Sequence, residues 1–458
     1  MPFATLTSAT LARRTVLTGA MLFAAGAAVR AADTAANGNA PSVKLAEDAA
    51  IWGIPLVRTG RYLALTKARG LALNRFYLNQ ALATPDTKLA GPNVDTIYGF
   101  AWLDLSHGPV VVDVPDGGDR YYSVQFIDAY ETILGYAGNS ATSKGPGSYV
   151  VSGPGWRGKL PQGAKRIASP TSLVLALTRT LVKSPADLPA AQALQARLSI
   201  APLAHYPAGK QPAVVEQEAL NVFPTLKIAG DGAAFFSELD ALVQRFPPTG
   251  QEADAFRRLA PLYLGHGFAQ HNTLQPAALQ HALDGALARV HAANVADTND
   301  GWRVNYHIRA FNADPVTRAA LNSVGPGAHI AEEALYFTAT TDSAGAKLDG
   351  ANSYSLTFPK GGLPPAKSFW SLILYDGGNF FLVDNPIHRY TINDRSTDLV
   401  HAGDGSLPIV ISHAKPAGTV NWLPAPAGPF LLVLRTYEPD SALLTGAWKV
   451  PPVVRTAK

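Results

Sequence analysis

The sequence predicts a mainly β protein in which two β-sandwiches are joined by a helical insert, with a further helical segment at the N-terminus. Three observations carry that prediction. From Gly91, and again from Trp302, short apolar or alternating runs are divided by turns rich in Gly, Pro and Asp, which is the punctuation of antiparallel sheets. Between those stretches the apolar residues recur at helical spacing.

In chain order, 43–90 begins with helical composition from Val43 to Lys67. A break is expected near Gly53 and Pro55, because proline has no backbone N–H to continue the helix. Over 91–184 the runs Val110 to Val114, Tyr121 to Ile127 and Ser148 to Ser152 are separated by Pro115-Asp116-Gly117-Gly118 and Gly145-Pro146-Gly147, and a β-sandwich is the economical reading. In 185–300, Phe235, Phe236, Leu239, Leu242, Val243 and Phe246 follow the capping residue Asp231, and Leu279, Leu283, Ala286, Leu287 and Val290 repeat the stripe. Such stripes read as core or interdomain surface. Over 301–458, Ser353 to Phe358, Phe369 to Tyr375, Ile409 to Ser412 and Phe430 to Tyr437 are strand candidates around turns such as Asp376-Gly377-Gly378 and Asp404-Gly405, the pattern of a jelly-roll sandwich.

Residues 1–31 read as an export signal. Arg13 and Arg14 form a twin-arginine pattern, a modestly apolar run follows from Val16 to Val29, and Val29-Arg30-Ala31 is a small-residue cleavage pattern. The run falls short of the roughly 20 apolar residues that span a membrane, and 32–42 reads as a flexible tether. A periplasmic or secreted protein with no stable membrane span after cleavage is expected. Without 1–31, Lys and Arg fall from 38 to 35 against 34 acidic residues, a net charge of +1. The remaining basic residues are scattered, which argues against a nucleic-acid partner. The absence of cysteine excludes thiolate nucleophiles, thiolate zinc sites and cysteine-held clusters.

Three segments near the first sandwich, GPNVDTIYGFAWLDL, VPDGGDRYYSVQFID and GPGSYVVSGPGW, resemble the domain of unknown function 1254. Three later ones, NSYSLTFPKGGLPPAKSFWSLILYD, DNPIHRYTIND and NWLPAPAGPFLLVLRTYEP with GAWKVPPV, resemble the domain of unknown function 1214. The resemblance to this paired family covers roughly residues 45 to 455 and implies an immunoglobulin-like β-sandwich, helices, and a C-terminal jelly roll, with no established activity. One departure is that Asp342-Ser343-Ala344-Gly345, ahead of Leu348-Asp349-Gly350, lacks a second Asp. Too few carboxylates remain for a calcium loop, and a hairpin turn is expected.

The densest polar stretch is Asn93-Val94-Asp95-Thr96-Ile97-Tyr98. As chemistry, Asp95 could serve as a general acid or base if buried, with Asn93, Thr96 and Tyr98 orienting a polar substrate. As structure, Asn and Asp ahead of a strand bond nearby amides and need no ligand. On the following strand, alternation sends Tyr122, Val124, Phe126 and Asp128 to one face and Tyr121, Ser123, Gln125 and Ile127 to the other. The first face is core-like and the second is a wetter surface or cleft wall, where Tyr121 and Gln125 suit a domain interface and a ligand pocket equally. In the last domain Trp302, Arg309, Tyr336 and Arg389 are candidate binding residues, with an ion pair between Arg309 and Glu332 or Glu333 as the structural alternative.

The histidines show no His-x-His pair and no helical pair with a glutamate between, so no metal set is expected. No nucleophile elbow or phosphate-cradling loop appears, and the sequence leaves any cofactor unknown. The leading expectation is a hydrolase-like enzyme acting on a small organic or sugar-like molecule through water activated by Asp95, in a cleft between the β domains. The alternative is a non-catalytic envelope module binding a carbohydrate or another protein, and a homo-oligomer is compatible with either.

Overall fold

The computed structural model describes residues 42–88, 90–140, 142–216, 228, 230–310, 314–418 and 420–456. The expected signal and all of the tether before Ser42 lie outside the described residues. The protein is mainly β, with four sheets arranged as two sandwiches and eight helices among the described residues. None of these helices is long and apolar enough to cross a membrane.

The first sandwich pairs a six-stranded with a five-stranded sheet. The larger runs in the order Val214–Glu216, Tyr77–Asn79, Thr96–Asp104, Leu173–Leu181, Tyr122–Asp128, Ile133–Asn139. Its inner face gives Leu78, Ala101, Leu103, Tyr122, Val124, Phe126, Val174 and Ala176 to the core, against Val110, Val112, Tyr149 and Val151 of the smaller sheet. The alternation expected for the Tyr122–Asp128 strand is observed. Tyr122, Val124 and Phe126 are in the sandwich core, while Tyr121, Ser123 and Gln125 face away from it. The sandwich also recruits Tyr77–Asn79, Ser199–Pro202, Gln211–Pro212 and Val214–Glu216, outside the expected 91–184. Strands of two to four residues are too short to show a period.

The second sandwich has a six-stranded sheet in the order Asp297–Asn299, Trp302–Val304, Ala334–Ala339, Phe430–Pro439, Ala366–Asp376, Thr391–Asn393, packed on a four-stranded sheet built around Tyr354–Phe358 and Leu407–Ser412. Leu335, Phe337, Trp370, Leu372, Leu432 and Leu434 fill its core. The Asp342 turn is a hairpin turn, with Asp342 Oδ1 accepting from the amides of Ala344 and Ala346 at 3.0 and 2.9 Å.

The helix Val43–Ala68 is capped by Ser42, whose hydroxyl accepts from Leu45 N, and it runs unbroken through Pro55. The expected break is therefore corrected. Gly53 and Gly60 let the helix Gly232–Arg245 approach, since a Cβ at either would lie 2.6 to 2.7 Å from Leu239 or Leu242. Burial along this helix outweighs the roughly 3 kcal/mol proline cost. Phe235, Phe236, Leu239 and Val243 of one stripe, and Leu279, Leu283, Ala286 and Val290 of the other, join Phe100, Trp102, Leu175 and Leu177 in a shared core. The outer face of the large sheet is thus divided. The helices cover one end, and the second sandwich covers the other, where Thr96, Tyr98 and Tyr121 stand.

Candidate functional site

The six-stranded sheets of the two sandwiches face each other through polar rows. In the first sheet Tyr98, Arg179 and Ser123 lie side by side on adjacent strands. In the second, Tyr336, Arg435, Ser371 and Asn393 do the same. Apolar contacts flank these rows: Val94 packs with Ile373, Tyr375 and Val433 on one side, and Tyr121 and Leu181 pack with Phe369 and Tyr437 on the other.

The Asn93 turn enters the second sandwich. Asn93 Oδ1 accepts from its own turn at Asp95 N, 2.7 Å away, while Nδ2 donates to the Tyr437 hydroxyl at 2.6 Å. Asp95 is 2 % exposed. Its Oδ2 accepts from the Ser371 hydroxyl at 2.6 Å, and its Oδ1 accepts from Arg395 at 2.5 Å and Asn393 at 3.3 Å. The Asp95 carboxylate, held by three donors of the second sandwich, is a clasp between the domains. Thr96 is 1 % exposed, and its hydroxyl has no partner.

Tyr98 lies beneath the Arg179 guanidinium, 5.3 Å from ring centre to Cζ. Arg179 also donates to Gln125 Oε1 at 2.7 Å and to the Gly327 carbonyl at 2.6 Å. The loop from Gly327 to Ile330 forms one wall. The Ala328 carbonyl accepts from Gln125, and the Ile330 amide donates to the Tyr136 hydroxyl. His329 is wholly buried between Tyr136 and Tyr437, with no partner for Nε2. Burial, then the nearby Arg179, hold its pKa well below the usual value, so the imidazole is neutral.

Tyr121 donates to Glu333 Oε1 at 2.6 Å, and Thr142 donates to the other oxygen. Burial and then the glutamate push the Tyr121 phenol far above its ordinary pKa, so it remains a donor. Tyr336 and Tyr98 are only partly buried, although Arg179, Ser123, Arg435 and Ser371 beside them are buried. The sheets therefore leave space at these two rings. An open interdomain cleft of about 320 Å³ lies on the Tyr121 side of the junction, lined among others by Arg120, Tyr121, Lys183, Lys367, Phe369 and Arg395.

Of the residues singled out in the sequence, Asn93, Asp95, Thr96, Tyr98, Tyr121, Gln125 and Tyr336 meet at this junction. Three do not. Trp302 is 1 % exposed in the core of the second sandwich, its indole donating to the Pro451 carbonyl. Arg309 is a surface side chain 3.8 Å from Glu332, the ion-pair alternative. Arg389 pairs with Asp398 and reaches the Trp422 carbonyl, a contact that pins its own loop. Sequence reading missed Arg179, Arg435, His329 and Tyr437. A signal existed for the two arginines, since Arg179 is the lone charge in the largely apolar strand LVLALTRTL and Arg435 interrupts the apolar run of FLLVLRTYEP. Among the described residues no three His, Asp or Glu side chains converge as metal ligands.

Among solved structures, the VPA0106 protein from Vibrio parahaemolyticus is similar at 20% identity and TM-score 0.69, over 91% of this chain and all (100%) of that one. That likeness shows the fold. A putative uncharacterized protein from Burkholderia cenocepacia aligns at 14% identity and TM-score 0.44, over 88% of this chain and 87% of that one. No curated protein matches the chain. The family model for a protein of unknown function (DUF1254) matches residues 73–202, and that for a protein of unknown function (DUF1214) matches residues 333–441. The chain, with these two domains in that order, belongs to the paired DUF1254 and DUF1214 family.

Proposed function

We propose that the chain is an exported small-molecule-binding protein whose ligand sits between the two β-sandwiches, against Tyr98 and Tyr336. The observation that carries this reading is the composition of the facing rows. Two sheets that only needed to dock would meet through apolar side chains, whereas these present Arg, Tyr, Gln, Ser and Asn around two rings that keep accessible surface. Aromatic residues with polar tips suit both the apolar and the hydrogen-bonding parts of a small ligand. A screen of small organic metabolites by thermal shift, followed by hydrogen exchange on each hit, tests it. Hits are expected to protect the amides of Thr96–Asp104 and Ala334–Ala339. Protection confined to other surfaces overturns the reading.

A catalytic version of this function rests on His329, a neutral buried imidazole with Nε2 unpartnered. Such a group suits proton exchange with a bound molecule better than the committed carboxylate of Asp95 does. In this version His329→Gln abolishes turnover of a bound hit and preserves its affinity. Export is supported by the Arg13-Arg14 pattern. Replacing both arginines with lysine is expected to leave the chain in the cytoplasm, and unchanged export would remove the twin-arginine route.

A further inference from the structure

Several arginines of low exposure in this fold meet a carboxylate. Arg120 pairs with Asp187, Arg318 with Glu252, and Arg395 with Asp95 and Asp394. Arg179 and Arg435, 5 % and 6 % exposed, do not. Arg179 bonds Tyr98, Gln125 and the Gly327 carbonyl, and Arg435 bonds Tyr375 and the Gly91 carbonyl. All of these are neutral acceptors. The two guanidiniums come from the central strands of the facing sheets, and both lie within electrostatic reach of the phenols of Tyr98 and Tyr437.

The nearby carboxylates are already engaged. Asp95 and Asp394 share Arg395. Glu333 takes hydrogen bonds from Tyr121 and Thr142, and stands alone against two guanidiniums. Glu131 accepts from the Gly327 amide, its neutral form is favoured by burial, and Arg58 is the cation beside it. Arg179 and Arg435 therefore have no carboxylate in direct contact, and a buried guanidinium that meets only neutral acceptors costs free energy that an entering anion would offset. Two buried polar atoms on the same junction, Thr96 Oγ1 and His329 Nε2, also have no partner.

We propose that the ligand of this site is a small organic anion whose carboxylate or phosphate oxygens are held between Arg179 and Arg435, with the phenols of Tyr98 and Tyr336 against its body. This rests on the interdomain site proposed above and adds the chemical class. Arginine forks match the paired oxygens of such groups, and the bonds are charge-assisted on both sides. The open cleft lies on the Tyr437 side of the site. Tyr121 and Phe369, which line it, are in ring contact with Tyr437.

The test uses the mature wild-type chain with succinate, benzoate and inorganic phosphate, set against the uncharged succinamide and benzamide, by calorimetry and hydrogen exchange. At least one anion is expected to bind with protection of Thr96–Asp104 and Ala334–Ala339, to bind at least about tenfold more tightly than its neutral counterpart, and to weaken as salt rises. Arg179→Gln and Arg435→Gln are each expected to lower that affinity by at least about tenfold. Arg179→Lys, which keeps the charge and loses the fork, falls in between if either glutamine variant misfolds. Neutral compounds that protect both strands as well as the anions do would overturn the anion assignment and leave the interdomain site standing. Protection of neither strand by any compound in this panel or the metabolite screen would overturn both.

Discussion

Arg395 reaches from the second sandwich to Asp95 of the first, its guanidinium 2.5 Å from Oδ1, with the Asp95 side chain 1 % exposed and that of Arg395 15 %. The ion pair joins residues that are 300 positions apart and fixes how one sheet sits over the other.

Breaking that pair from one side leaves a buried charge. Arg395→Met is expected to lower stability by about 3 kcal/mol, the cost of stranding a carboxylate without its cation. Asp95→Asn, which keeps one oxygen as an acceptor for Ser371 or Asn393, is expected to cost less. Urea denaturation of both variants checks the order, and equal losses would show that the charge of Asp95 is not the term that matters.

Burial lifts the Asp128 carboxyl to about 7, against the opposing backbone hydrogen bonds from Thr132 and Tyr130. Above the ordinary carboxylate pKa the unfolded chain has released a proton that the folded chain retains, so this residue's contribution is full in acid and is lost as pH rises through about 7. Asp128→Asn keeps an acceptor for both amides. Its gain in stability is expected to be near zero in acid and to level off above neutrality at no more than about 4 kcal/mol. Denaturation midpoints measured across that range check the sign.

Gly91 has φ of 61°, and a Cβ there would lie 2.6 Å from the Phe380 ring. Its amide donates to the Phe380 carbonyl at 2.7 Å and its carbonyl accepts from Arg435 at 2.9 Å. Gly91→Ala is expected to cost about 1–3 kcal/mol through strain and the clash together, seen as a lower melting temperature. A cost near zero would mean that the Phe380 ring turns aside freely.

Tyr121→Phe removes one of the two side-chain donors to the buried Glu333 carboxylate. A loss of about 1–3 kcal/mol is expected. In a double-mutant cycle with Glu333→Gln most of it should appear as coupling energy. Additive single losses would mean that the hydroxyl matters for packing alone.

The strand runs and the alternation that sends Tyr121 and Gln125 outward were legible because a half-buried strand writes its two faces into every second residue. The crowding of Asn93, Asp95 and Tyr98 was legible as a polar knot, but its partners were not. Ser371, Asn393 and Arg395 belong to a distant stretch, and no local pattern records which turn meets which sheet. Pro55 misled for a related reason. Local propensity argues for a break, and the packing of Gly53 against Leu239, which exists only in three dimensions, overrides it.

The reciprocal wiring of Asn93 to Tyr437, Tyr121 to Glu333 and Asp95 to Ser371 bears on how the molecule can be cut. Each half is furnished with the missing complements of the other, so either half produced alone would present bare ionised and hydroxyl-bearing groups on what ought to be an inner wall. The two modules are thus obliged to travel as one polypeptide, or to find each other again when severed.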